Sequence, residues 1–160
     1  MLVVSAMGTA MGVFVLSAFD IIERLPTVQE FNTLRMSVGW PKVNEITVKA
    51  ALDLSIYSVC AVADNRTVGI ARVIGDGSMY FYIQDFIVQK EFQGKGIGTA
   101  IMKRIMEFLK QYAPEGSFIG LMSAKGKEGF YLKYGFTERP NDVYGAGMGF
   151  YKEDLVQVGF

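Results

Sequence analysis

The chain has 160 residues, 51% hydrophobic and 13% aromatic, enough for one domain with a buried core and too apolar for disorder. Its formal net charge of zero removes the broad attraction that holds a nucleic-acid binder to phosphate. With no histidine there is no Ser-His-Asp or Cys-His catalysis and no commonest zinc ligand, and the single Cys60 permits no internal disulfide, so a reducing cytoplasm is the simplest setting.

Residues Met1 to Phe19 carry no charged side chain. They read as an apolar N-terminal extension, residues 1–19, ahead of one domain spanning 20–160. No basic stretch marks a signal peptide. Ser5, Ala6, Gly8, Thr9, Ala10 and Gly12 dilute the run for a membrane span. Three readings stay open: a start that is not the natural one, a segment packed on the domain or a neighbour, and a membrane anchor. The run is expected to be dispensable for catalysis.

Asp20 to Arg24 reads as a first strand. Thr27-Val28-Gln29-Glu30 is a capping box that opens a helix, with Phe31, Leu34 and Val38 on its apolar face. Gly39-Trp40-Pro41 ends it. A second helix is expected over Val43 to Leu54, where Ile46, Ala50 and Leu54 recur at a spacing of four. Ile56 to Ala63 and Thr67 to Ile74 are apolar runs joined by the hairpin connection Asp64-Asn65-Arg66. Cys60 reads as a small buried hydrophobe.

Gly75 to Ser78 turns the chain into a central strand, Met79 to Val88. There Tyr80, Tyr82, Gln84, Phe86 and Val88 should point one way, and Phe81, Ile83, Asp85 and Ile87 the other. After a polar connection comes Gln93-Gly94-Lys95-Gly96-Ile97-Gly98, then a helix with Ile97, Ile101, Ile105, Phe108 and Leu109 on one face. A buried run from Ser117 to Met122 and a helix from Lys125 to Tyr134, ended by Gly135, follow. The closing portion, Phe136 to Phe160, mixes turns with short strand candidates. Hairpins first and strand–helix units second predict an α+β fold with a mixed sheet.

A strand, a glycine-rich turn and a helix N-terminus aim several backbone N–H groups at one point, which suits an anion such as a phosphate. A turn with no ligand is the alternative. The Walker pattern is absent, and the dinucleotide fingerprint does not fit the glycine spacing. Gln93-x-x-Gly96-x-Gly98 instead resembles the pyrophosphate-binding segment of the GNAT acetyltransferases. Gly129-Phe130-Tyr131-Leu132-Lys133-Tyr134-Gly135-Phe136 resembles their aromatic-Tyr-x-x-x-Gly-Phe signature. With both segments in the expected order, the stretch from Asp20 to Arg139 is identified as a member of this family. It departs at Ala124 and Lys127, where relatives often have Asn and Ala. It departs again at Ile119, an apolar residue on the strand where some relatives carry a catalytic carboxylate.

The resemblance implies a mixed, mostly antiparallel sheet whose fourth and fifth strands splay apart, flanked by helices. It implies acetyl-CoA as cosubstrate, no metal, and transfer of acetyl to a primary amine of a small molecule by direct attack in a ternary complex. A protein or peptide acetyltransferase, a non-catalytic acetyl-CoA sensor and a membrane-tethered enzyme stand as rivals. Backbone groups of Phe86, Ile87 and Val88 would line the acetyl-pantetheine path, one N–H polarising the thioester carbonyl. Gln93 and the stretch Gly94, Lys95, Gly96, Ile97, Gly98 and Thr99 would bind the pyrophosphate. Tyr131 would give a proton to the departing thiolate. Asp85 is the candidate base, directly or through water; pairing with a neighbour or orienting the acceptor ammonium is an equal reading. Trp40 and Tyr144 are candidate acceptor walls, with core packing and a surface turn as their alternatives. A homodimer is the family expectation, and the cytoplasm is the setting that the single cysteine suggests.

Overall fold

The computed structural model describes residues 19–152, so the apolar N-terminal run lies outside the described residues except for Phe19, as do residues 153–160. The chain divides into two compact units, with the boundary between Gly120 and Leu121.

The first unit holds a five-stranded sheet in the order β1 (Asp20–Ile22), β2 (Tyr57–Ala63), β3 (Arg66–Gly75), β4 (Tyr80–Val88), β5 (Phe118–Gly120). The first four strands are antiparallel neighbours, and β5 joins β4 in parallel. The mixed sheet with flanking helices is the expected class. Asp64 and Asn65 alone make the β2–β3 turn, at φ of 50° and 58°. Two left-handed residues match the twist of a tight hairpin, so Arg66 already belongs to the strand.

Two helices cover one face of the sheet. In α1 (Val28–Ser37) the capping box is complete: Thr27 Oγ1 accepts from Glu30 N at 3.1 Å, and Glu30 Oε2 accepts from Thr27 N at 2.7 Å. Both Glu30 oxygens also accept from Arg24 at 2.8 Å, and the Thr67 hydroxyl donates to Glu30 Oε1, which ties α1 to β3. Asn44 caps α2 (Glu45–Asp53). The face that α2 buries is Val48 and Leu52, packed with Phe31, Leu34, Cys60, Ile70 and Ile87. Ile46 and Leu54, at the expected spacing, are 82% and 78% exposed. The spacing of four was real but ran along the solvent side, because a short helix can offer two apolar rows and only one meets Phe31 and Leu34.

The opposite face belongs to α3 (Ile97–Tyr112), which buries Ile97, Ile101, Met102, Ile105 and Leu109. Tyr57 stacks on Phe108, centroids 4.2 Å apart and planes within 5°. A Cβ on Gly69 would meet Ile101 at 3.0 Å and Ile97 at 3.4 Å, so β3 lies close under this helix.

Burial along β4 alternates as expected, yet its faces do not. Val73 opposite Ile83 and Tyr57 opposite Val73 set Ile83 on the α3 face. Ile70 opposite Ile87 sets Ile87 on the α1/α2 face. Between them the register slips: Ile70 faces Ile87 but Arg72 faces Gln84. One extra residue on β4 is a bulge, and it exchanges the two faces. The pattern of burial survives only because both faces are covered.

Pairing between β4 and β5 stops after Tyr80, Phe81 and Tyr82, which gives the splay. The expected buried run from Ser117 to Met122 shrinks to three strand residues, and Phe118 is 49% exposed at the sheet edge.

In the second unit, the expected helix from Lys125 shortens to α4 (Glu128–Leu132), and Gly135 takes the left-handed conformation at φ 87°. No strand occurs among its described residues, so the strand candidates between Phe136 and Lys152 are not strands. Among the described residues no helix is long and apolar enough to cross a membrane.

Candidate active site

The stretch from β4 to α3 is built around three left-handed positions. Asp85 sits in the bulge at φ 50°, Gly94 follows at φ 75°, and Gly96 caps α3 at φ 85°. A short 3-10 turn, Lys90–Phe92, joins strand to loop and drops Phe92 into the core. Nothing lies within 4 Å of a Cβ added to Gly94 or Gly96. Glycine is therefore required by backbone conformation and not by crowding, since the space that a side chain would enter is open. Ile97 is buried under the helix while Gln93, Lys95 and Thr99 are exposed. Lys95 lies 5.0 Å from the Phe92 ring centroid. Gln93 Nε2 donates to Val88 O at 2.8 Å, so its side chain fastens the loop to the end of β4.

Phe86 and Val88 are half-buried, and Ile87 lies in the core. Gln89 N donates to Val68 O at 2.9 Å, whereas Gln89 Oε1 is buried with no hydrogen-bond partner among the described residues. An orphaned acceptor at the mouth of the loop costs free energy until something donates to it. The sequence reading passed over this residue as part of a polar connector.

Asp85 is 3% exposed and fully engaged by cations. Arg72 Nε and Nη2 donate to its Oδ2 at 2.9 and 2.6 Å, and Arg35 Nη1 approaches its Oδ1 at 3.4 Å. Arg72 also donates to Ala51 O and Ser55 Oγ. The geometry favours the pairing reading of Asp85 over the base: guanidinium donors occupy both carboxylate oxygens, and the buried group has no free oxygen facing an acceptor. Arg72 and Arg35 were not singled out from the sequence. The available signal was one cation in the apolar run of β3 and one anion in the apolar run of β4.

Trp40 is half-buried against the α1/α2 core, with the Arg35 guanidinium 5.2 Å from its ring. It thus packs as its alternative reading held, while its other neighbour is the charged group at Asp85. In the second unit, Tyr131 stands edge-on to Phe130 at 5.1 Å and to Phe136 at 6.1 Å. Burial raises its phenol pKa above the ordinary 10.0. Tyr144 is 54% exposed in a turn where Asn141 Oδ1 accepts from Val143 N and Tyr144 N, and Arg139 lies over its ring.

A helix N-terminus at α3 with no side-chain cap, two glycines at positive φ, an orphaned Gln89 oxygen and a bulged strand all suit a diphosphate attached to an amide-bearing arm. Among the described residues, no group of three or more Cys, Asp or Glu stands together as a metal site.

A family model described as an acetyltransferase (GNAT) domain matches residues 41–152. The chain is 34% identical over 120 residues to an uncharacterized N-acetyltransferase, ycf52, of Porphyra purpurea, covering 72% of this chain and 68% of that one. It is 30% identical over 129 residues to a chloroplastic serotonin N-acetyltransferase 2 of Oryza sativa, covering 78% of this chain and 62% of the relative. A solved GNAT-family acetyltransferase from Streptococcus pneumoniae superposes with a TM-score of 0.69 at 27% identity, covering 84% of this chain and 98% of that one. The bulge, the glycine loop and these matches agree, and the chain belongs to the GNAT family of acetyltransferases.

Proposed function

We propose that this acetyltransferase moves an acetyl group from acetyl-CoA to a primary amine of a small molecule. The observation that carries the reading is the continuity of bulge, glycine loop and helix N-terminus along one segment, residues 84 to 99. Amides from Gly94 to Thr99 would hold the diphosphate, with Gln93 bracing the loop from Val88. Backbone groups of Phe86, Ile87 and Val88 would align the arm, and Gln89 Oε1 would accept from one of its amides. Acetyl-CoA supplies the activated thioester. The Arg72–Asp85 pair fixes the bulge from below and so sets where those backbone groups point.

An attacking ammonium must first lose its proton, at a pKa of roughly 10.4 for a lysine-like amine. With Asp85 occupied, water is the base in this reading. Tyr131 Oη gives the proton to the departing thiolate. That role rests on the family motif, and its raised pKa keeps the phenol protonated as a donor must be. The small-amine choice draws on the name of the rice relative, which specifies serotonin. A homodimer in the cytoplasm remains part of the proposal. The word chloroplastic in that relative's name makes a plastid the competing location, which fractionation decides.

Calorimetric titration of the full chain with acetyl-CoA tests the reading, with Gly96→Glu as control. Binding by the wild type, lost in a folded Gly96→Glu, followed by CoA release with an amine panel, is expected. No binding by the wild type would overturn it. Binding without CoA release on any small amine or peptide would favour the sensor.

A further inference from the structure

Charges on the α1/α2 face do not balance. Arg35, Arg72 and Asp85 form one connected group with side chains 18%, 7% and 3% exposed. Two guanidinium groups thus face one carboxylate. The nearby anions are engaged elsewhere: Glu30 with Arg24 and Thr67, Asp53 with Lys49. Arg35 lies in the last turn of α1, whose carbonyl end offsets about half a charge. The remainder has no counter-ion among the described residues.

The two arginines differ in what they have left to give. Arg72 is held at Nε, Nη1 and Nη2 by Asp85, Ala51 and Ser55. Arg35 donates from Nε to Pro41 O at 3.2 Å and only distantly from Nη1 to Asp85. Its Nη2 has no hydrogen-bond partner among the described residues. The guanidinium is nevertheless fixed, 5.7 Å from the Phe31 centroid and 5.2 Å from that of Trp40. A planar donor edge, held in place, partly open to solvent and short of an anion, matches the fork geometry of a carboxylate. It adjoins Asp85, the residue before the acetyl-lining segment begins at Phe86.

We infer that Arg35 is a specificity-determining residue that takes the carboxylate of the acceptor, so that the acetylated amine belongs to a zwitterion of the amino-acid class. The inference rests on the acetyl-transfer reading above. An excess of less than one positive charge matches a monoanion better than a phosphate dianion. Asp85, already gripped by two cations, offers nothing to a second ammonium, so polyamines are disfavoured.

The test uses pairs of amines that differ by one carboxylate: phenylalanine with phenethylamine, leucine with isoamylamine, β-alanine with ethylamine. The readout is the ratio of kcat/KM within a pair, compared between wild type and Arg35→Gln. Differences in amine basicity, and any common effect on the cofactor, cancel in that comparison. For at least one pair the preference for the carboxylate-bearing member should fall at least about tenfold in Arg35→Gln, and Arg35→Lys should restore part of it. Trp40, the only tryptophan, gives a reading without turnover. With CoA present its emission should respond saturably to the amino acid and not to the plain amine, and Arg35→Gln should abolish the response.

Ratios unchanged by Arg35→Gln, with CoA release continuing, would overturn the anchor and leave acetyl transfer standing. Acetyl-CoA binding with no turnover and no Trp40 response to any carboxylate-bearing member would overturn it as well. Failure of the wild type to bind acetyl-CoA would remove the underlying reading and the anchor with it.

Discussion

Arg72 directs two nitrogens, Nε and Nη2, at a single oxygen of Asp85, across the point where β3 and β4 fall out of register. A buried pair of this kind is costly to break and cheaper to replace whole. Asp85→Ala should destabilise the protein by about 3–5 kcal/mol, since it strands a buried guanidinium. The double variant Asp85→Ala with Arg72→Met should lose less than the two single losses added together. Denaturant unfolding of the three variants measures this, and simple additivity would mean that the pair does not act as a unit.

The same pair makes a kinetic prediction. Asp85→Asn should lower turnover by disturbing the bulge, while the acidic limb of the pH–rate profile stays in place. Loss of that limb would restore Asp85 as the base. The profile needs only one amine that the enzyme accepts.

Gly96→Ala separates backbone strain from ligand binding. The position has φ 85° and no atom within 4 Å of a new Cβ, so the side chain fits while the backbone resists. A loss of about 1–2 kcal/mol in unfolding free energy is expected from the left-handed conformation. Thermal unfolding without ligand reads that strain, and a variant as stable as wild type would show that the loop relaxes away from the left-handed geometry.

Tyr131→Phe should lower turnover at least about tenfold and leave acetyl-CoA affinity nearly unchanged. Because burial raises the Tyr131 pKa, its loss as a donor belongs to pH above the ordinary phenol value of 10.0. A stopped assay beside a calorimetric titration checks both. Turnover equal to wild type would remove the acid role.

Glu30 supplies a pH-dependent part of stability. Hydrogen bonding from Arg24, and then from Thr67 and Thr27, outweighs burial and lowers its pKa from 4.5 to about 2. A carboxylate with a depressed folded pKa stabilises fully above its unfolded value and loses that contribution as pH falls toward the folded one. The stability gap between wild type and Glu30→Gln should therefore be present at pH 7 and close between pH 4.5 and about 2. Chemical denaturation at several pH values measures it, and a gap that persists at pH 2 would assign the loss to packing.

Much of the first unit was legible because local chemistry and fold agree there. The capping box at Thr27, the turn at Asp64 and Asn65 and the amphipathic face of α3 each follow from a rule acting over a few residues. What escaped depends on longer range. The bulge at Asp85 arises from a partner strand, and burial on both faces leaves the alternation looking regular. The outward turn of Ile46 and Leu54 depends on which row of α2 meets α1. For the site, the glycine pattern announced the loop, but Arg72 and Arg35 are 13 and 50 residues from Asp85 in sequence. A charge reads as a catalytic candidate until its counter-ion is known.

Beyond Tyr82, β4 keeps β3 on one side but has no strand on its β5 side among the described residues, since β5 ends at Gly120. A strand side that suits a pantetheine arm also suits a strand from another molecule. The cosubstrate would then act as a chaperone for the folded chain, and protein handled without it should lose solubility first at this edge.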